Sequence, residues 1–310
     1  MSVTRQRFTP FEHGAAELGD SVRLHRELAW WNHRRLNAGM PCEDWEHELE
    51  EDCRMRRLEG RMIEAARRDV AEKAAAAPTD ADGFIAWFEE LKATGPGQGD
   101  ELFPWLAKDA TLEQMQWFLT QEAAGEAGFD DLVAMTQVKL PVSAKLELAR
   151  NYWDEMGRGA EGGMHGPMLE RTTRGLGLDP KINETEWQSL ALANTMTAFA
   201  ATRRYAYHSV GALGVVELTA PGRVAQVAEG LKRLGCEPAV RKYFVLHAHL
   251  DIEHSKAWNE EALRPLVAEK PERARAIAEG ALMRLNCGAR CFDAYRAHLW
   301  TSGAMAMAAE

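Results

Sequence analysis

The stretch FVLHAHLDIEHSKAW, residues 244–258, decides the fold of this chain. It contains no Gly or Pro and its apolar residues recur at helical spacing, which predicts a single helix. His247, Asp251 and His254 stand at i, i+4 and i+7, within about 60 degrees of one another on an ideal helix. Phe244, Leu250 and Trp258 flank them, so the polar triplet falls in the stripe expected to face the core. Two imidazoles and a carboxylate buried on one face need partners, and a transition metal satisfies all three at once. His249 and Glu253 project to the other side and read as solvated. A single core His is more often hydrogen-bonded than ligating. The metal reading therefore depends on whether other helices supply further ligands.

The rest of the chain is helical in pattern. Residues 1–20 read as an irregular arm, Ser21–Leu36 as a helix, and Glu43–Ala77 as one long, heavily charged helix. The soft AAAAPTDADG boundary then marks a linker, which gives a helical extension over residues 1–78 and a main domain over 79–310. His25, His33 and His47 in the extension sit among many charges and read as surface residues. Thr111-Leu-Glu-Gln114 has the form of a capping box opening a helix expected to reach about Val138. A further helix, straight or kinked, is expected from Glu184 to Leu218, ended by Ala220-Pro221-Gly222 and followed by a shorter helix leading to Gly235; Ser209, Gly211, Ala212 and Gly214 of the first would let another helix approach closely. Pro238 opens the helix of residues 244–258, and Pro271 the last one. Nothing alternates with period two, so the fold class is all-α.

Composition bounds the function. At 310 residues with 46% hydrophobic and 27% charged residues, the chain reads as an ordinary globular protein. Its net charge of −10 argues against nucleic acid as a partner. No apolar run approaches the length of a membrane span and the N-terminus has no signal-peptide core, so the expectation is a cytoplasmic protein without membrane association. Five scattered cysteines without a C-x2-C pair fit reduced thiols, and Cys287 and Cys291 read as small core residues.

Two further helices carry polar residues on inward stripes. Glu122 falls in line with Met115, Phe118, Gly125, Phe129 and Leu132, where a Glu is rarely left unpaired. Glu155 aligns with Leu148 and Tyr152, and a glycine cluster (Gly157, Gly159, Gly162, Gly163) separates it from His165. Glu155 and His165 are about 80 degrees apart on an ideal helix, so the chain must bend or unwind between them for both to reach one site. With His247, Asp251 and His254, that makes three carboxylates and three imidazoles, enough for two metal ions set in a helical core. The oxygen and imidazole set without thiolate suits iron, and manganese or a mixed pair shares the same ligands.

These segments (FLTQEAAGEAGF, ARNYWDEMGRGAEGGMHGPML and YFVLHAHLDIEH) resemble the heme-oxygenase-like diiron oxidases and oxygenases. That superfamily shares its fold with heme oxygenase, the thiaminase-type proteins and the pyrroloquinoline quinone synthase. The resemblance covers residues 80–310 and implies a heme-oxygenase-like helical bundle carrying Glu122, Glu155, His165, His247, Asp251 and His254 as ligands of two irons. Glu155 or Asp251 is the bridge it implies, with the three histidines as terminal ligands. O2 is the implied co-substrate, reduced through a peroxo-diiron(III) species. Family members oxidise small aliphatic amines, amino acids or fatty acids by N-oxygenation, desaturation, carbon–carbon cleavage or decarboxylation. A homodimer and an external electron donor are compatible partners. Some members carry an extra ligating Glu three residues before the His; here that position is Gly162, and Glu161 is either its substitute or a solvated loop residue.

Two weaker pointers complete the set. Arg203 and Arg204 lie beside Tyr205, Tyr207 and His208, and either can hold a substrate carboxylate or form part of a solvated basic turn. Glu217 can support a ligating His from behind or be a satisfied core acid. Two rival functions stay open: a metal-free hydrolase of the same fold working through a Cys nucleophile, and a non-catalytic helical module pairing through its Trp-rich extension.

Overall fold

The computed structural model describes residues 20–307, and the expected arm of residues 1–20 falls outside them but for Asp20. Among the described residues the fold is all-α, with no β-strand. The helices are α1 (Ser21–Leu36), α2 (Trp45–Ala75), α3 (Ala81–Thr94), α4 (Leu102–Lys108), α5 (Leu112–Gly125), α6 (Phe129–Thr136) and α7 (Val142–Glu155). They continue with α8 (His165–Gly175), α9 (Trp187–Ala201), α10 (Ala206–Arg233), α11 (Pro238–Ala257), α12 (Arg264–Glu269) and α13 (Arg273–Met307). A π-helical stretch, Trp258–Leu263, joins α11 to α12.

Helix α10 is the axis of the fold, packed against α11, α13 and α4. Its approach to α13 depends on two glycines. A Cβ on Gly211 would lie 1.9 Å from the Ile277 carbonyl oxygen, and one on Gly280 would lie 1.9 Å from that of His208. The small-residue segment of α10 thus does admit a second helix, backbone against backbone. Gly214 similarly makes room for the indole of Trp258, whose Nε1 donates to Val210 O at 3.1 Å. Helices α1 and α2 pack on α9 and α13, and Leu24, Leu28, Trp31 and Met55 share one apolar core with the body.

Three boundaries differ from expectation. The helix opened by the Thr111–Gln114 capping box stops at Gly125 rather than Val138. Ala127 and Gly128 take positive φ (63° and 71°), and the Glu126 carboxylate accepts from Gly128 N and Phe129 N to start α6. The expected Glu184–Leu218 helix is two helices, broken at Arg203–Tyr205. Helix α10 in turn continues through Pro221 to Arg233. Proline has no N–H, so it deprives only the Glu217 carbonyl of its helical partner. His25 is another correction: it is buried, stacked on Trp187 and in contact with Asn194, because α1 docks its apolar face on α9.

A buried ion-pair network ties α2, α10 and α13 together. Glu279 accepts from Arg67 Nε at 2.7 Å, His208 Nε2 at 2.9 Å and Arg275 Nε at 3.1 Å. Burial opposes ionisation, but the three donors outweigh it and hold the carboxyl at about 2. A depressed acid stabilises the fold above its unfolded pKa, and that contribution fades as pH falls from about 4.5 towards 2. The full shift corresponds to about 3 kcal/mol, which screening around the partly exposed arginines reduces to about 2 kcal/mol. Glu279→Gln should therefore lose about 2 kcal/mol in denaturant titrations at pH 7, with the gap narrowing at pH 3. A gap of constant size would assign the loss to packing instead.

Candidate metal centre

Helix α11 forms as its pattern demands, with Pro238 in its first turn and His247, Asp251 and His254 buried on one face. The Glu155–His165 problem is solved by a break. Glu155 is the last residue of α7 and His165 the first of α8. Between them the chain makes two short 3-10 turns, Gly157–Gly159 and Glu161–Gly163, closed by an antiparallel bridge between Met156 and Met164. Gly157 (φ 61°) and Gly159 (φ 85°) supply the left-handed backbone this excursion needs. The loop brings His165 Nδ1 to 2.7 Å from Glu155 Oε2.

Two groups of buried ligand-type side chains result. Glu155, His165 and His247 offer atoms within 4.8 Å of one another, and so do Glu217, Asp251 and His254. The groups adjoin: Asp251 of the second feels the charge of Glu155 in the first, and His165 of the first that of His254 in the second.

The hydrogen bonding around these side chains fits metal ligation. His247 Nδ1 pairs with Tyr243 O at 2.8 Å, leaving Nε2 as the free lone pair. His254 Nε2 lies 3.2 Å from Asp154 Oδ2, so its Nδ1 faces Glu217 Oε2 at 3.5 Å. Asn151 Nδ2 donates to Glu217 Oε1 at 2.6 Å. Ligating imidazoles are commonly oriented this way, with the far ring nitrogen on a carbonyl or carboxylate. Meanwhile His165 Nδ1 makes no hydrogen bond despite its closeness to Glu155, and Asp251 Oδ1 is buried without any partner. His254 Nδ1 also has the Asn151 amide at 3.2 Å, so the barest acceptor in the two groups is Asp251 Oδ1, and a buried acceptor with no donor suits a cation.

The electrostatics agree. Burial, with Glu217 and Glu155 adding to it, pushes Asp251 up to about 10. Burial and Glu217 push Glu155 well above the carboxylate range. Burial lowers His165 and His247 to about 4 each. His254 is the exception: burial lowers it, but Glu217 and Asp154 prevail and raise it to about 9. Three buried carboxylates packed this closely repel one another until a cation joins them.

An apolar cavity of about 180 Å³ opens onto Glu155, Glu217, His247 and Asp251. Phe118, Leu119, Leu192, Met196, Val224 and Phe244 form much of its wall. Tyr243 lines it too; burial and the nearby Glu126, Glu155, Asp251 and Glu122 push its phenol well above the usual range.

The profile of the iron-containing redox enzyme family matches residues 116–289, which span α5 to α13 and include all six clustered side chains. The chain belongs to this family. Its fold is heme-oxygenase-like, in line with the solved structure of a CADD-like protein of unknown function from Nostoc punctiforme PCC 73102. That structure is 16% identical, covers 72% of this chain and 96% of its own, and has a TM-score of 0.52. A second structure of the same protein, also 16% identical, covers 75% of this chain and 96% of its own with a TM-score of 0.47. No curated protein sequence matches.

Within this family frame, five of the six expected ligands gather and one does not. Glu122 stands apart: Tyr295 Oη donates to it at 3.0 Å, and Arg223 and Arg284 are the charges it feels. Its place in the six-membered set is taken by Glu217. Glu126, one turn beyond Glu122, lines the cavity nearer Glu155 and carries no mark in the sequence beyond its spacing. Glu161 is exposed in the loop and joins neither group. Arg203 and Arg204 are structural: Arg203 donates to the carbonyls of Met135, Thr136 and Val138, and Arg204 pairs with Glu64. Asp154 and Asn151 belong to the site without a motif to mark them, although Asn151 lies one turn before Glu155 on the same inward face.

Proposed function

We propose that the chain is an O2-dependent non-heme diiron oxidase or oxygenase acting on a small molecule. The observation that carries this reading is the pair of adjoining buried groups, Glu155–His165–His247 and Glu217–Asp251–His254, at the wall of an apolar cavity. Two irons bound there would supply O2 activation and the electrons for it. The chain's own part is to fix the ligands and exclude water. Tyr243 O and Asp154 set the ring orientations of His247 and His254, and Asn151 holds Glu217. Phe118, Phe244 and Leu192 keep the reacting atoms of the substrate in a dry pocket.

Asp251 Oδ1, buried without a hydrogen bond, argues against the rival module, in which the clustered residues would be satisfied core polars. The thiol hydrolase reading loses support as well. Cys291 lines the cavity, but burial and Glu122 push its thiol far above the range of a reactive thiolate. The test is anaerobic Fe(II) loading followed by O2. Two irons per chain and a transient visible band on O2 addition are expected. A protein that binds no iron and leaves O2 untouched would overturn the proposal.

A further inference from the structure

Away from the two carboxylate–imidazole groups, the same cavity is lined by Arg223 and Arg284. Arg223 lies six residues past Glu217 on α10, about 9 Å along the helix axis. Among the described residues neither arginine forms an ion pair, and Arg223 Nη2 donates to Thr219 Oγ1 at 3.1 Å. The rings of Phe103 and Phe292 flank Arg223, at 5.8 and 5.5 Å from its guanidinium carbon. Burial, with the neighbouring Arg284 adding to it, brings Arg223 down to about 10.

The charges do not balance at this end. Glu122 feels both arginines; burial raises its pKa while the Tyr295 hydroxyl and the arginines resist. Ionised, it offsets one guanidinium of two; protonated, it offsets neither. Both arginines are half-buried in the wall of an apolar cavity, and two like charges so placed favour an anion between them. A planar guanidinium fork matches a carboxylate best, through paired N–H···O bonds. A cationic amine would be repelled from the same place.

We propose that Arg223 and Arg284 anchor the carboxylate of a small, largely apolar acid, whose chain runs along the cavity towards His247 and Asp251. This rests on reading the cavity as the substrate site and narrows the substrate to carboxylic acids. The aromatic and aliphatic wall takes the chain, and the anchor fixes which carbons lie beside the ligand groups.

The anchor is tested on the full chain without iron, by thermal shift and calorimetry, using hexanoate and octanoate, their amides, and inorganic phosphate as probes. The acids are expected to raise the melting temperature and the amides not to. Arg223→Gln and Arg284→Gln should each weaken acid binding about tenfold or more, and Arg223→Lys should retain part of it. Equal binding of acid and amide, protection by phosphate alone, no protection by either acid at millimolar concentration, or full acid affinity in both Gln variants would overturn the assignment. The comparison of acid with amide needs no variant, so it stands even if one fails to fold. Iron counts on the Arg variants separate the two claims. Lost acid binding with iron retained supports the anchor, whereas acid binding in a chain that takes up no iron would sink the diiron reading alone.

Discussion

Asp251→Asn is expected to remove one iron and at the same time make the metal-free protein more stable. The carboxylate is buried, one of its oxygens has no hydrogen-bond partner, and Glu217 and Glu155 crowd it. Without a cation this is a cost of order 1–3 kcal/mol that an isosteric amide avoids. The melting temperature of the iron-free variant should rise by roughly 2–4 °C per kcal/mol relieved. Iron affinity should fall in the opposite direction. Losing a group behind a ligand commonly costs 10–100-fold, so losing the ligand itself should exceed about 100-fold at its site. Melts with and without Fe(II), beside a ferrous titration, read both signs together. A variant that melts below the parent and still binds two irons would assign Asp251 to ordinary core packing.

Gly157→Ala should be the most damaging single methyl group in the site. The added Cβ would lie 2.3 Å from the Gly163 carbonyl carbon and 2.5 Å from Met164 N, with φ at +61°. Both neighbours are backbone, so neither can step aside, and the left-handed conformation adds about 1–2 kcal/mol. The Met156–Met164 bridge should open and His165 should leave Glu155. We expect iron at the Glu155–His165–His247 group to weaken more than tenfold while the second group still fills. Proteolysis within residues 157–163 should slow on iron addition in the parent protein and not in the variant. Gly162→Ala is the control, because its Cβ would meet nothing within 4 Å. Equal iron binding by both variants would show that the loop does not position His165.

The residues that could be read from the chain are those that share one regular helix. His247, Asp251 and His254 follow from the 3.6-residue period alone, because α11 is unbroken through all three. Glu155 follows from its stripe with Leu148 and Tyr152, but its pairing with His165 does not, since an irregular loop separates them and no periodicity carries register across it. Glu122 lies outside the two groups for a different reason. An acid on an apolar stripe announces that it has a partner but not which one, and here the hydrogen-bond partner is Tyr295, with the charges of Arg223 and Arg284 nearby. The break after Gly125 also defeats the expected stripe, because Glu126 leaves the helix and turns to cap α6. Glu217 is hard to read from the sequence because α10 buries nearly its whole circumference over Ala206–Leu218, so no amphipathic face singles it out. The arginines failed similarly: Arg203 and Arg204 form a conspicuous basic run, yet hold carbonyls and a surface glutamate, while Arg223 and Arg284 stand alone in sequence and meet only in space.

The most direct measurement is the position of bound iron, from anomalous scattering of crystals grown with Fe(II) under anaerobic conditions. Two peaks are predicted, one against Glu155, His165 and His247 and the other against Glu217, Asp251 and His254, with none at Glu122. A single peak, or one held by Glu122, would contradict the account.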